Sequence, residues 1–285
     1  MTDPIRLDGE AAFVTGGGGG IGRAIAIRLA EAGANVAVID IIAERAEEAA
    51  ARAGEQGVRT LAMAGDVMDS EALRHAIDCA AREFGRLDIL VNNAGGVSAR
   101  PFLDQSERSM RKHIDINLMS MLVATQAAAR HMIACGGGSI VNVASIEASR
   151  AAPNFAVYAA CKAGMLSFTK SMAVELAEHR IRVNCIAPDH TITPGNQGNR
   201  VGPVDPESWK RRTAEEIDAM NRLIPLGREG IDMECGDAAL FLSSDMASYI
   251  TGILLPIDGG TSAASGWMRG RNGKWTLNEG LNFGG

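Results

Sequence analysis

The sequence predicts an α/β protein with a single doubly wound domain, in which about seven parallel strands are flanked by helices. Three observations carry that expectation. Short apolar runs alternate with longer helical patterns from Ala11 to Gly260, the order of repeated strand–helix crossovers. The first run, Ala11–Thr15, breaks into the glycine string Gly16–Gly20 before the helical stretch RAIAIRLAEAG. The second, Asn35–Ile39, ends on a carboxylate, Asp40. A chain of 285 residues can bury one extensive core, and 46% apolar against 22% charged residues excludes a disordered chain.

Charge and cysteine usage narrow the class. The net charge of −6 comes without a basic stripe, so nucleic acid has no electrostatic footprint here. No stretch reaches membrane-spanning length, and the start, MTDPIRLDGEAAF, has no basic segment followed by an apolar run. Cys79, Cys135, Cys161, Cys185 and Cys235 are scattered and never in C-x-x-C spacing, which suits small core residues in a reducing compartment. A cytoplasmic protein is expected. No second His or Cys stands at metal-ligand spacing from His190, so no metal is assigned.

A strand, a glycine turn and a helix in that order form a phosphate site, because glycines admit the pyrophosphate and the helix start offers free N–H groups. The string fits two registers, Gly17, Gly19, Gly22 or Gly16, Gly20, Gly22, with Ile21 between the last two. Asp40 can accept hydrogen bonds from ribose hydroxyls and would repel a 2′-phosphate, which favours NAD over NADP. Arg23, just past the turn, is the nearest cation. The helix 42–56 reads as a surface crossover. A third strand, Arg59–Ala64, precedes Gly65, Asp66 and Val67; Asp69 and Ser70 are placed to cap the helix 71–84. A fourth strand, Leu87–Val91, ends in Asn92, Asn93, Ala94 and Gly95, and one long helical pattern from Ser106 to Ala134 contains Asn117.

The strand Ile140–Ala144 ends in Ser145, and the helix after it carries Tyr158 and Lys162, one turn apart on one face. A free phenol titrates near 10, so a phenolate base near neutral pH needs a shift of about 3 units, roughly 4 kcal/mol. A lysine cation beside the ring oxygen pushes in that direction. An isolated Tyr and Lys at this spacing are more often a core ring and a solvated charge; the Ser before them and the glycine turn upstream argue otherwise.

Ser, then Y-x-x-x-K, on a nucleotide-binding sheet resembles the short-chain dehydrogenase/reductase family, whose hallmark motifs match this chain from Ala11 to Gly260. The resemblance implies a Rossmann-type domain over 1–260 that moves hydride reversibly between NAD and a secondary alcohol or ketone. It favours the T-G-x-x-x-G-x-G register, Gly16, Gly20 and Gly22. It implies that Asp66 and Val67 hold the adenine, that Asn93, Ala94 and Gly95 line the cofactor cleft, and that Asn117 bends its helix and completes a proton path. Ser145 would hold the substrate oxygen, Tyr158 would be the acid/base, and Lys162 would lower its pKa and bond the nicotinamide ribose. Pro188, Thr191 and Thr193 would face the nicotinamide carboxamide.

This chain has Asp189 where the family usually has Gly after Pro188, which puts the wall beside the nicotinamide in question; Asp tolerates the left-handed conformation such a turn needs. Gly195–Pro206 reads as a mobile loop and 207–222 as an amphipathic helix, together a lid over about 189–225. Glu147, Asn154 and Phe155 are candidate pocket borders for a hydroxysteroid, hydroxyacyl or polyol substrate. The extension 261–285 carries Trp267, Met268, Trp275, Leu277, Leu281 and Phe283, so an ordered path is expected, across a subunit interface or over the cleft of a homotetramer. The rival reading, a silent nucleotide-binding sensor, usually goes with loss of the Tyr or the Lys. A serine hydrolase lacks its G-x-S-x-G.

Overall fold

A computed structural model describes residues 3–209 and 211–277. The first half runs β1 (Ala11–Thr15), α1 (Gly20–Glu31), β2 (Asn35–Asp40), α2 (Ala43–Gly54), β3 (Thr60–Ala64), α3 (Ser70–Phe84) and β4 (Ile89–Asn92). Helices α4 (Glu107–Ile114) and α5 (Ser120–Cys135) follow, joined by a π-helical turn, Asp115–Met119. Then come β5 (Gly138–Val143), α6 (Ala156–Glu175), β6 (Ile181–Pro188), β7 (Thr191–Ile192), α7 (Ala214–Leu223), β8 (Gly230–Ile231), α8 (Asp232–Ser243) and β9 (Leu254–Ile257). The main sheet has seven strands in the order β3-β2-β1-β4-β5-β6-β9, all parallel, as expected of the fold class.

Alternation along each strand builds two cores, one per face. Ala12, Val14, Val36 and Val38 point to one face and pack with Ile25, Leu29, Ala239 and Leu242 of α1 and α8. Ala11, Phe13, Ala37 and Ile39 point to the other, against Leu73, Ile77, Ala124 and Met132 of α3 and α5. A buried chain of side-chain hydrogen bonds then fixes neighbouring elements: Asn92 Nδ2 donates to Thr125 Oγ1 (3.1 Å) and Asn142 Oδ1 (2.8 Å), and Asn142 Nδ2 to Thr169 Oγ1 (2.8 Å). Helix ends follow their local chemistry. Asp69 caps α3 by accepting from the Glu71 and Ala72 N–H groups, and Gly85 ends that helix in the left-handed region at φ 78°.

The long helical pattern 106–134 is two helices about a π turn, and the turn lies at Asn117, where the resemblance implied a bend. The helix expected over 207–222 begins only at Ala214, because Thr213 and Glu216 form a capping box there, while Pro206–Ser208 make a single 3-10 turn. Helix α2 is the expected crossover, joining the parallel strands β2 and β3, and it buries Arg45, Ala46, Ala49, Ala50 and Ala53 on its inner face. After β9, α9 (Thr261–Ala264) leads to a small antiparallel hairpin, β10 (Met268–Arg269) with β11 (Trp275–Thr276). Arg222 of α7 donates to the Arg269 carbonyl, and the Arg269 guanidinium lies 4.5 Å from the Trp275 ring centroid. The described part of the extension is thus ordered against α7 of its own chain; Leu281 and Phe283 lie outside the described residues. Among the described residues no helix is long and apolar enough to cross a membrane, and no three His, Cys, Asp or Glu are grouped to hold a metal.

Candidate active site

The chain begins at the sheet centre, winds out to β3, and crosses back to β4 on the other side of β1, so a crevice opens between the carboxyl ends of β1 and β4. Asn93 holds this switch point together. Its side chain donates to the carbonyls of Thr15 (3.0 Å) and Gly16 (2.8 Å), while Thr15 Oγ1 accepts from the N–H groups of Asn93 and Ala94.

The glycine turn closes under this brace. Gly16 and Gly20 have φ of 58° and 51°, and a Cβ on Gly22 would stand 2.3 Å from the Gly16 carbonyl oxygen. Helix α1 starts with no side-chain cap and no acidic residue in its first turn, which leaves its N–H groups to an anion. A cavity of about 400 Å³ lies over it, lined by Gly16, Gly20, Ile21, Asp40, Asp66, Val67, Asn93, Ala94, Gly95 and Thr193 among others. Asp40 presents its carboxylate there, accepting from the N–H groups of Gly18 and Ile42, both at 3.0 Å.

A second cavity of about 510 Å³ shares Ile21, Arg45, Asn93, Gly95, Thr193, Gly195 and Arg200 with the first and contains Asn117, Ser145, Tyr158, Lys162 and Pro188. The two form one continuous cleft. The π turn frees the His113 carbonyl, and Asn117 Nδ2 takes it at 3.0 Å while bonding Gly96 through both ends of its amide. Lys162 Nζ lies 5.5 Å from the Tyr158 ring centroid and donates to the Val143 carbonyl at 2.8 Å. Burial brings the ammonium down to about 8.

The Tyr158 phenol does not show the depressed pKa expected beside a lysine. Burial pushes it up to about 12; a hydrogen bond with Ser145 pulls the other way, and the charges of Glu147 and Asp189 add to the rise. The ammonium is directed at the Val143 carbonyl, and desolvation is the largest influence on the phenol. The Ser145 hydroxyl donates to Glu147. Burial favours a protonated Glu147, yet hydrogen bonds from Ser145 and Arg150 outweigh it and hold the carboxyl below its usual range.

A family profile described as enoyl-(acyl carrier protein) reductase matches residues 16–262. The D-threitol dehydrogenase of Mycolicibacterium smegmatis is 39% identical over 256 residues, 90% of this chain and 94% of that one. The chain belongs to the short-chain dehydrogenase/reductase family. A 7α-hydroxysteroid dehydrogenase solved with NADH and 7-oxo glycochenodeoxycholic acid superposes on this short-chain dehydrogenase/reductase with a TM-score of 0.82 at 35% identity, covering 91% of this chain and 97% of that one. A gluconate 5-dehydrogenase from Burkholderia cenocepacia, solved with NADP and tartrate, gives 0.82 at 35% identity over 92% and 98%.

Not every residue singled out in this short-chain dehydrogenase/reductase reaches the cleft. Thr191 is diverted: it pairs with Gly230 in the β7–β8 ribbon, its hydroxyl donates to the Asp189 carbonyl at 3.2 Å, and it lines a separate cavity of about 440 Å³ with His190, Arg228 and Asp258. The left-handed residue of this turn is His190, φ 42°, rather than Asp189, so the expected tolerance of Asp for that conformation is not what carries the turn. The His190 ring lies 3.2 Å from the Asp189 carboxylate there. Glu147 sits behind Ser145, and neither Asn154 nor Phe155 lines the cleft; Asn154 is itself left-handed at φ 69°.

Sequence reasoning missed Arg45 and Arg200, which line both cavities. Arg45 is 8% exposed and donates to the carbonyls of Gly202 (2.6 Å) and Asn199 (2.9 Å). It thereby ties the loop after β7 to α2, and Asn199 gathers that loop by bonding Val201, Pro203 and Asp205. An arginine in the first turn of an alanine-rich helix that begins just past Asp40 was the available signal.

Proposed function

We propose that this chain is an NAD-dependent dehydrogenase that interconverts a secondary alcohol and a ketone. The observation that carries the reading is the convergence of Asn117, Ser145, Tyr158 and Lys162 on one cavity continuous with the glycine-turn cleft. The turn fits a dinucleotide, because Gly16 and Gly22 leave no room for a side chain where the backbone closes on itself. Bound NAD supplies the hydride acceptor. Ser145 orients the substrate oxygen, and Tyr158 exchanges a proton with that oxygen, giving it up in reduction and taking it in oxidation. Lys162 would hold the nicotinamide ribose and steady the phenolate left after proton donation. Asn117 fixes the 95–96 backbone beside it. Asp66 and Val67 would take the adenine, and Pro188 and Thr193 would border the carboxamide.

NAD is favoured over NADP because the Asp40 carboxylate, fixed by two backbone N–H groups, faces the cavity. Arg45 shares that cavity, but its guanidinium is engaged by two loop carbonyls. The loop 189–213 and α7 act as the lid over the substrate. A homotetramer in the cytoplasm is the expected setting; the five cysteines are all unpaired, and Phe102, Ile114 and Val157 line an apolar groove of the kind a second copy covers. A screen of secondary alcohols with NAD, spanning polyols, hydroxysteroids and hydroxyacyl compounds and read by absorbance of the reduced nicotinamide, tests the reading. Turnover with none of these classes, in a protein that binds NAD, would leave a nucleotide-binding protein without this activity.

A further inference from the structure

The two cavities of the cleft meet beside the start of α1, and Ile21, Thr193, Arg45 and Arg200 are among the residues common to both. Among the described residues, Arg45 and Arg200 are the only charged groups that line both cavities. The carboxylates of Asp40 and Asp66 belong to the first cavity alone, and Lys162 to the second alone. Two cations thus stand at the junction, one from α2 and one from the loop after β7, in a chain whose net charge is −6. A dinucleotide has a nucleoside at each end and a diphosphate between them. With adenosine beside Asp40 and Asp66 and nicotinamide beside Ser145 and Tyr158, the diphosphate would fall where the cavities join.

Arg45 is built into this place. It is 8% exposed, and its Nε and Nη2 donate to the Gly202 and Asn199 carbonyls at 2.6 and 2.9 Å. The remaining nitrogen, Nη1, stands 3.6 Å from the position of a Cβ on Gly19, the residue before α1. Among the described residues Nη1 has no hydrogen-bond partner, although every guanidinium N–H is a donor. Asn199 and Gly202 flank Arg200 in the chain, so the same two bonds bring Arg200 to the cleft. Arg200 Nε reaches only the Gly195 carbonyl, at 3.4 Å, long for a hydrogen bond. Neither arginine has a carboxylate partner among the described residues.

We propose that Arg45 and Arg200 hold the diphosphate of the bound dinucleotide, so that cofactor binding fastens the loop 195–204 over the glycine turn; this rests on the reading of the cleft as a dinucleotide site. Cations gathered at one junction repel each other, and the two negative charges of a diphosphate turn that repulsion into attraction. Arg45 acts from a shielded position and has the larger share. Arg200 is exposed, and solvent screens it.

Titration of the full chain with NAD, ADP and adenosine, each read by displacement of fluorescent NADH, separates the diphosphate from the base and sugar. Arg45→Met should weaken NAD and ADP binding about tenfold or more, and Arg200→Met about threefold or more. Arg200→Lys, which keeps the charge, should fall between Arg200→Met and the parent. Adenosine should displace NADH from the Arg200→Met protein at the strength expected from its NADH affinity alone, with its own affinity unchanged. Added salt should weaken ADP binding in the parent more steeply than in either Met variant. If circular dichroism shows that Arg45→Met has lost the native fold, Arg200→Met carries the test, because its side chain anchors nothing beyond the Gly195 carbonyl. Unchanged NAD and ADP affinity in Arg200→Met, or equal losses for ADP and adenosine, overturns the proposal. Unchanged NAD affinity with a raised KM for the alcohol also overturns it and gives Arg200 to an anionic substrate. A parent that binds neither NAD nor ADP fails the cofactor reading itself, so the two failures are told apart.

Discussion

Replacing Gly22 and Gly19 separately by alanine pulls apart two jobs of the glycine turn. At Gly22 a Cβ would meet the Gly16 carbonyl oxygen at 2.3 Å and Asn93 Nδ2 at 2.4 Å, both in the brace that joins β1 to β4. Neither can yield without cost, because Asn93 Nδ2 is bonded to the Thr15 and Gly16 carbonyls. Overpacking costs about 1–3 kcal/mol, and one lost hydrogen bond adds about 1. At roughly 2–4 °C per kcal/mol for a chain of this size, Gly22→Ala should lower the Tm by about 5–15 °C. At Gly19 the nearest atoms are Arg45 Nη1 at 3.6 Å and Val204 Cγ2 at 3.8 Å, ordinary contacts, and its φ of −157° suits any residue. Gly19→Ala should keep the Tm within a few degrees yet weaken NAD binding, since its methyl enters the cavity. Thermal unfolding by circular dichroism and NAD titration by fluorescence measure the two effects. Equal Tm values for the two variants, or undiminished NAD affinity in Gly19→Ala, would refute this account of the turn.

Three further outcomes are expected. Tyr158→Phe should abolish turnover while NAD still binds, and Lys162→Met should weaken both turnover and NAD affinity; a variant of either kind with parental kinetics contradicts the assigned roles. The protein should prefer NAD to NADP by about tenfold or more in kcat/KM, about 1.4 kcal/mol, and Asp40→Ala should narrow that gap; a parent that favours NADP removes the argument. Glu10, beneath the sheet, is pushed up to about 7, first by burial and then by the charge of Asp88. Its protonated form is favoured on folding, so the stability it contributes is full below its unfolded value and is lost as pH rises through about 7. Urea unfolding of Glu10→Gln should show a flatter dependence between pH 5 and about 8 than the parent, and identical slopes would show that Glu10 is not the group responsible.

The fold was legible because its signals are local. Ala11–Thr15, the glycines and Asp40 announce β1, the turn and the end of β2 by pattern alone, and Tyr158 and Lys162 reveal a shared face by their spacing. What escaped depends on contacts distant in sequence. Arg45 bonds carbonyls more than a hundred and fifty positions away, at Asn199 and Gly202, and no periodicity encodes that. The resemblance implied a bend at Asn117, but the apolar pattern alone does not mark the π turn at Asp115–Met119, where Asn117 takes up the His113 carbonyl. Spacing places a lysine near the Tyr158 ring but says nothing of the desolvation that raises the phenol or of the Val143 carbonyl at which the ammonium points. Thr213 and Glu216, by contrast, were a readable start signal for α7 that amphipathic periodicity overrode.

The tether at Arg45 makes cofactor choice and loop order competing uses of one guanidinium. A redesign that removed Asp40 to admit a 2′-phosphate would also invite Arg45 to turn toward the new anion, and each bond made there is one withdrawn from Asn199 or Gly202. The redesigned protein would then gain its phosphate contact by unfastening the strap above the crevice, so that improved NADP affinity would come with faster loss of bound ligand. Cofactor engineering in this chain is therefore a two-site problem: Val201–Val204 would need a new anchor before Asp40 is changed.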